Sequence, residues 1–126
     1  MTEDLKIYQK WLDASVYIHN MLKHFPSEEK FLLSSDIRRS VTEIGVCIDL
    51  ANNAKSAAEK HRMADELERS ISKVKRHLDE AWAYGYFGKV NEHGSADKHG
   101  LACDHLKELG RMVGGWRKTF RDKPLN

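Results

Sequence analysis

The sequence predicts an all-α protein, an antiparallel up-down-up-down four-helix bundle. Apolar residues recur at steps of three and four through four long segments, which is the period of an amphipathic helix. The chain contains two prolines, so long helices can run between breaks. No stretch alternates apolar and polar residues between hairpin-type turns, which argues against strands. With 126 residues, the chain is expected to form a single domain, 1–126.

The first helix is predicted over about residues 2–25 and carries two apolar rows. Pro26 ends it, because the residue before a proline avoids helical geometry. The two rows together cover about half of the helix circumference, which is more than one internal seam needs. The first row holds Leu5, Tyr8, Leu12, Ser15, Ile18, Leu22 and Phe25, and the second holds Ile7, Trp11, Ala14, Ile18 and Met21.

The second helix is predicted over 28–53, with Ser27 as N-cap and two glutamates in the first turn. A large apolar patch outside its core stripe would mark a partner surface, and we expect a homo-oligomer. The core stripe is Leu33, Ile37, Val41, Ile44, Ile48 and Ala51, and the surplus residues are Phe31, Leu32, Val46 and Leu50.

The third helix is predicted over 57–86, and the fourth over 101–120. Ser56 and Glu59 have the spacing of a capping box, which marks the start of the third. The polar stretch between the two helices, with its glycines, is expected to be a loop. The inward residues are Met63, Leu67, Ile71, Val74, Leu78 and Trp82 in the third helix, and Ala102, Leu106, Leu109, Val113, Trp116 and Phe120 in the fourth.

Three glycines interrupt the fourth helix, although a glycine inside a helix costs about 1 kcal/mol relative to alanine. Gly110 and Gly114 lie on one face and would let another helix approach closely. Two interpretations stay open: packing inside the bundle against Trp11 or Trp82, or a contact between subunits. The oligomer or partner contact is assigned to Trp11, Gly110, Gly114 and Gly115.

The basic residues cluster on particular helix faces, although the formal net charge of the chain is only +2. Basic residues follow one stripe of the third helix and one face of the fourth. A solvated face with local ion pairs is the simpler interpretation. An oligomer would repeat each stripe and so create a field that binds phosphates. The candidate nucleic-acid-binding residues are Lys55, Arg62, Arg69, Lys73, Arg76, Arg111, Arg117, Lys118 and Arg121.

No constellation indicates catalysis, so the protein is not expected to be an enzyme or to need a cofactor. A di-metal bundle needs Glu-x-x-His pairs, and none occurs. His99 and Cys103 are four residues apart, near His93 and His105, and would suit zinc. Polar residues of a loop and a first helical turn are the simpler interpretation, so no metal is assigned. The two cysteines predict no disulfide framework, and no apolar run is long enough to span a bilayer. A cytoplasmic location is expected.

Two stretches resemble known families. The string "ELGRMVGGWRKTFR" (108–121), after "AWAYGYFGKVNEHGSADKHG" (81–100), is similar to the C-terminal part of the accessory variability determinant (Avd) proteins of diversity-generating retroelements. The opening stretch 5–41 resembles the wider group of four-helix bundles that includes the ribosomal RNA intervening-sequence proteins. Arg111 and Arg117 lie in or beside the Leu-Gly-Arg-Met-x-Gly-Gly-Trp motif of the C-terminal string.

The resemblance to Avd implies a homopentameric barrel with a basic surface. It implies binding to RNA or DNA and to the retroelement's reverse transcriptase, in support of mutagenic copying of template RNA. It implies that the chain itself is not the polymerase. The lack of an apolar run that could span a bilayer predicts no membrane partner. The alternative is an interaction bundle of the intervening-sequence type without a polymerase partner.

Overall fold

The computed structural model describes residues 3–88 and 97–120. Within those ranges the chain forms four α-helices and a short 3₁₀ helix, without a strand. The helices are α1 (Glu3–Leu22), α2 (Leu33–Asn53), α3 (Ala57–Ala83) and α4 (Lys98–Arg117), and the 3₁₀ turn is Ser27–Glu29. The predicted all-α class is therefore confirmed for the part of the chain that is described.

The helices form a ring in which each contacts two neighbours: α1 with α2 and α4, and α3 with α2 and α4. Neighbouring helices run antiparallel, because residue numbers increase along one helix in the direction in which they decrease along the next. Cys47 and Glu43 of α2 contact Ser70 and Lys73 of α3, in that order. This arrangement agrees with an up-down-up-down bundle.

The apolar stripes predicted for the second and fourth helices are buried. Ile37 of α2 and Leu109 of α4 are both fully inaccessible to solvent. Two of the surplus residues, Val46 and Leu50, lie on α2 and are each 51% exposed, and Phe31, in the turn before α2, is 83% exposed. The surplus apolar surface predicted for this helix is thus present.

In α1 the structure shows which part of the wide apolar face is buried, and in α3 it corrects one predicted inward residue. The second row of α1 forms the core, since Ile7, Ala14 and Ile18 are buried whereas Leu5 is 56% exposed. The first row is exposed only near its N-terminal end, since Leu22 and Phe25 at its other end are also buried. In α3 the smaller Ala81 is buried in the last turn, and Trp82 points outward instead.

The predicted helix boundaries also need correction. Ser27 does not cap α2, because the chain first makes the 3₁₀ turn and α2 begins at Leu33. Glu29 supplies the cap: one carboxylate oxygen accepts from the Leu33 backbone N–H at 3.1 Å. Its other oxygen accepts from the Tyr86 hydroxyl at 2.7 Å, which raises the pKa of Tyr86 to about 12.

The turn after α3 comes earlier than predicted, and α4 begins earlier. α3 ends at Ala83 because Gly85 takes φ +82°, a left-handed conformation that favours glycine. α4 begins at Lys98, where the Asp97 side chain accepts from the Gly100 backbone N–H at 2.8 Å. The start of α3 agrees with the prediction, since the Ser56 hydroxyl accepts from the Glu59 N–H at 3.1 Å.

Candidate functional site

The outward side of α3 carries the candidate cations as one stripe. Arg62, Arg69, Lys73 and Arg76 are all exposed, and the buried residues of α3 lie on the opposite side. We call these four residues the α3 stripe. Lys55 lies just before the helix and is also exposed. The structure therefore brings five of the predicted basic residues to the surface along one element.

Half of the α3 stripe has a carboxylate neighbour. Arg69 forms an ion pair with Glu66 on the same helix, and Lys73 Nζ lies 3.9 Å from a carboxylate oxygen of Glu43 on α2. Among residues 3–88 and 97–120, Arg62 and Arg76 have no such partner. Fourteen positions separate them, or about 21 Å along the helix. These two guanidinium groups are the cations of the stripe most available to a phosphate.

The fourth helix divides its cations between exposed and structural positions. Arg111 donates from Nε to Glu108 at 2.9 Å, and this hydrogen bond holds the pKa of Glu108 below its ordinary value. Lys118, which caps the C-terminus of α4, is exposed and has no carboxylate partner in the part of the chain that is described. The candidate Arg121 lies outside the described residues.

Arg117 links α4 to α3 instead of facing solvent. Its guanidinium hydrogen-bonds Asp65, reaches Glu68 at 3.3 Å and donates from Nε to Nδ1 of His61 at 3.3 Å. The hydrogen bond to Asp65 is the main cause that raises the pKa of Arg117. Since Nδ1 accepts, Nε2 of His61 carries the proton and donates to the Phe120 carbonyl at 3.2 Å. The structure thus gives this predicted binding residue an internal role.

One of the predicted contact residues, Trp11, is partly buried and packs against the core. Trp11 lies between α1 and α2, where its indole N–H donates to the Val41 carbonyl at 2.8 Å. A Cβ at Gly45 would come within 2.5 Å of the Trp11 ring. Sequence reasoning missed Gly45, because nothing in the chain pattern joins it to a tryptophan 34 positions earlier.

The three glycines of α4 are not needed for packing inside the bundle. Beyond its chain neighbours and the nearby backbone of α4, a Cβ at Gly110, Gly114 or Gly115 would meet no described heavy atom within 4 Å. The interpretation that they pack against Trp11 or Trp82 is therefore wrong for the described part of the bundle. Their role as a subunit contact stays a prediction.

One group of metal-ligand side chains joins α3 to α4. His99 Nε2 lies 2.9 Å from a carboxylate oxygen of Asp79 and 3.6 Å from the Cys103 sulfur. The ligand atoms of all three lie within 4.8 Å of one another. The sequence pointed to His99 and Cys103 by their spacing but gave no signal for Asp79, which lies on another helix. His93 lies outside the described residues.

Neither cysteine has the surroundings of an activated nucleophile. Burial is the main cause that raises the pKa of Cys47, and it raises the pKa of Cys103 as well. A raised thiol pKa keeps the sulfur neutral near pH 7, and the thiolate is the reactive form.

Each helix in the described part of the chain is too short or too polar to span a membrane.

His105 belongs to a different contact, between α4 and α1. Its ring lies 5.0 Å from the Tyr17 ring, and Lys10 Nζ is 3.4 Å from its Nδ1. Burial, and then the charge of Lys10, hold the pKa of His105 below its ordinary value. The neutral imidazole can accept from Lys10, and the protonated ring cannot.

We therefore expect His105 to destabilise the fold in acid. A histidine whose pKa is lower in the folded state contributes stability above its ordinary pKa and loses it as pH falls through the folded value. Urea unfolding should show that the wild type loses more free energy of unfolding than His105→Gln does between about pH 7 and about pH 5. Parallel curves for the two proteins would contradict this assignment.

Comparisons with known proteins agree with this fold. Residues 3–113 match the family model of the 23S rRNA-intervening sequence protein. A solved structure, a protein with unknown function from the S23 ribosomal protein family of Bacteroides thetaiotaomicron, superposes with a TM-score of 0.76 at 23% identity. The match covers 94% of this chain and 100% of that one. A search of curated proteins finds no match. The four-helix bundle and the family match over 3–113 together place the chain in the 23S rRNA-intervening sequence protein family.

Proposed function

We propose that this protein is a non-enzymatic accessory subunit that binds nucleic acid as an assembly of several copies and serves a retroelement reverse transcriptase. The observation that carries the proposal is the α3 stripe, with Arg62 and Arg76 exposed and without carboxylate partners in the described chain. Guanidinium groups spaced along a helix suit the repeated phosphates of a nucleic-acid strand.

The exposed apolar side chains support an assembly of several copies. Val16 of α1 is 59% exposed, and Leu50 of α2 and Phe31 in the turn before α2 are also exposed. The α3 stripe and Lys118 lie on the other two helices. We propose that these apolar residues join copies of the chain into an assembly. The resemblance to Avd suggests a pentamer. The basic side of each copy would then stay open to phosphates.

The stripe predicts binding that depends on salt and little on base sequence, since phosphate contacts carry no sequence information. If one copy neutralises about four phosphates of a single strand, affinity should fall roughly 50-fold between about 50 and about 200 mM salt. Gel retardation of RNA and of DNA of the same sequence measures this fall and the preference between the two. Light scattering gives the number of copies in the assembly.

The decisive variant is Arg62→Glu with Arg76→Glu, because these side chains form no ion pair that the change would break in the described chain. We expect RNA affinity to fall at least about 10-fold, with an unchanged circular dichroism spectrum. The matched control is Lys6→Glu with Lys75→Glu, which makes the same charge change at exposed positions that belong neither to the α3 stripe nor to the apolar residues proposed to join copies. Equal losses in both would mean that net charge, and not the α3 stripe, governs binding.

The alternative is an interaction bundle of the intervening-sequence type without a polymerase partner. The family match over 3–113 favours it, whereas the string 108–121 favours the accessory subunit. Genomic position separates the two. A neighbouring reverse transcriptase gene with a template repeat supports the accessory role, and a position inside a ribosomal RNA insertion supports the alternative.

A further inference from the structure

We infer that Asp79, His99 and Cys103 form a binding site for one divalent cation of the Zn²⁺ class, which links the end of α3 to the start of α4. The three residues offer a carboxylate, an imidazole and a thiol from two helices. This inference is independent of nucleic-acid binding, since none of the three belongs to the α3 stripe.

The geometry favours a shared cation over a proton relay. In a relay the imidazole uses one nitrogen for the carboxylate and the other for the nucleophile. Here the Asp79 oxygen, at 2.9 Å, and the Cys103 sulfur, at 3.6 Å, both approach Nε2 of His99. One nitrogen with one proton or one lone pair cannot serve both well. A cation between the three ligand atoms satisfies all of them.

The separations also suit tetrahedral coordination. With Zn–S near 2.3 Å and Zn–N near 2.0 Å, ligand atoms on one edge of a tetrahedron lie about 3.5 Å apart. The sulfur-to-nitrogen distance of 3.6 Å already fits. The oxygen-to-nitrogen distance of 2.9 Å must widen by a few tenths of an ångström, and the Asp79 side chain is 65% exposed, so it is free to move.

Aromatic side chains hold the histidine in this position. The Trp82 ring stacks on His99 at a centroid distance of 5.6 Å and an interplanar angle of 25°, and Phe87 meets it edge-on at 5.3 Å. Trp82 thus contacts α4 although it lies outside the core and is 59% exposed. A ligand that is already ordered loses less entropy when the cation binds.

The donor set selects the kind of cation. A thiolate and an imidazole suit Zn²⁺ and related borderline metals, whereas Mg²⁺ and Ca²⁺ prefer sites made of oxygen atoms. On binding, the Cys103 S–H bond breaks, the proton goes to water and the sulfur bonds the metal as a thiolate. Solvent completes the coordination on the exposed Asp79 side, which is also the path of entry.

Cobalt titration of the full-length protein, without a histidine tag and with reduced thiols, tests the site. Co²⁺ replaces Zn²⁺ in such sites and reports a sulfur ligand by a thiolate-to-metal charge-transfer band. We expect one equivalent to produce the band and excess Zn²⁺ to remove it. Zn²⁺ should also raise the melting temperature, because it binds the folded chain.

Variants assign the ligands. Cys103→Ser should abolish the charge-transfer band, and His99→Gln should weaken Co²⁺ binding at least about 100-fold. Cys47→Ser is the matched control, a half-buried cysteine on α2 that should leave the titration unchanged. Asp79→Asn should also weaken Co²⁺ binding. Because Asp79 is exposed, this variant tests the site even if His99→Gln fails to fold. The absence of a band in the wild type, or a band that survives Cys103→Ser, would overturn the inference.

Discussion

Replacing Gly45 by leucine is expected to lower the free energy of unfolding by about 3 kcal/mol. A Cβ at this position would lie 2.5 Å from Cζ2 of Trp11, and the rest of the side chain would need the volume that the indole fills. The ring cannot move freely, because its N–H donates to the Val41 carbonyl at 2.8 Å. Displacing it would break that hydrogen bond and separate α1 from α2.

The matched control is Gly115→Leu, the same change in another helix. Gly115 is exposed, and a Cβ there would meet no described atom within 4 Å. Helix propensity alone should then raise the free energy of unfolding by about 0.5–1 kcal/mol. Urea unfolding at low protein concentration compares the two without a contribution from association. If Gly45→Leu is as stable as the wild type, the Trp11 contact does not hold α1 on α2.

Replacing Arg117 by methionine is expected to lower the free energy of unfolding by about 1–2 kcal/mol. The change keeps most of the aliphatic length but removes the hydrogen bonds to Asp65, Glu68 and His61. The two carboxylates of α3 would then face each other without a cation between them. Because the Arg117 side chain is 27% exposed, solvent should screen part of this loss.

Lys118→Met separates the structural role from nucleic-acid binding. Lys118 loses the same charge at the next position, but it is exposed and has no ion-pair partner among the described residues. We expect the free energy of unfolding of the Lys118→Met variant to differ from that of the wild type by no more than about 0.5 kcal/mol. The slope of its RNA affinity against salt concentration should fall by the amount that about one phosphate contact contributes. Arg117→Met should keep the wild-type salt dependence. The reverse pattern would return Arg117 to the binding surface.

The sequence by itself determined the elements whose signals are local. The stripes of α2 and α4 follow from the helical period, and Ser56 with Glu59 marks the start of α3. It also indicated the surplus apolar residues of α2, such as Val46. These features depend on residues a few positions apart, and one helix brings such residues together whatever surrounds it.

Tertiary structure alone decided the features that depend on contacts between helices. It decided which residues of the wide apolar face of α1 are buried, and it turned Arg117 inward to Asp65. It placed Asp79 beside His99 and Trp11 over Gly45. The partners in these contacts lie 20 or more positions apart, so no local period relates them. Their meeting depends on how each helix is rotated about its axis and aligned with its neighbour, and packing of the whole core fixes both.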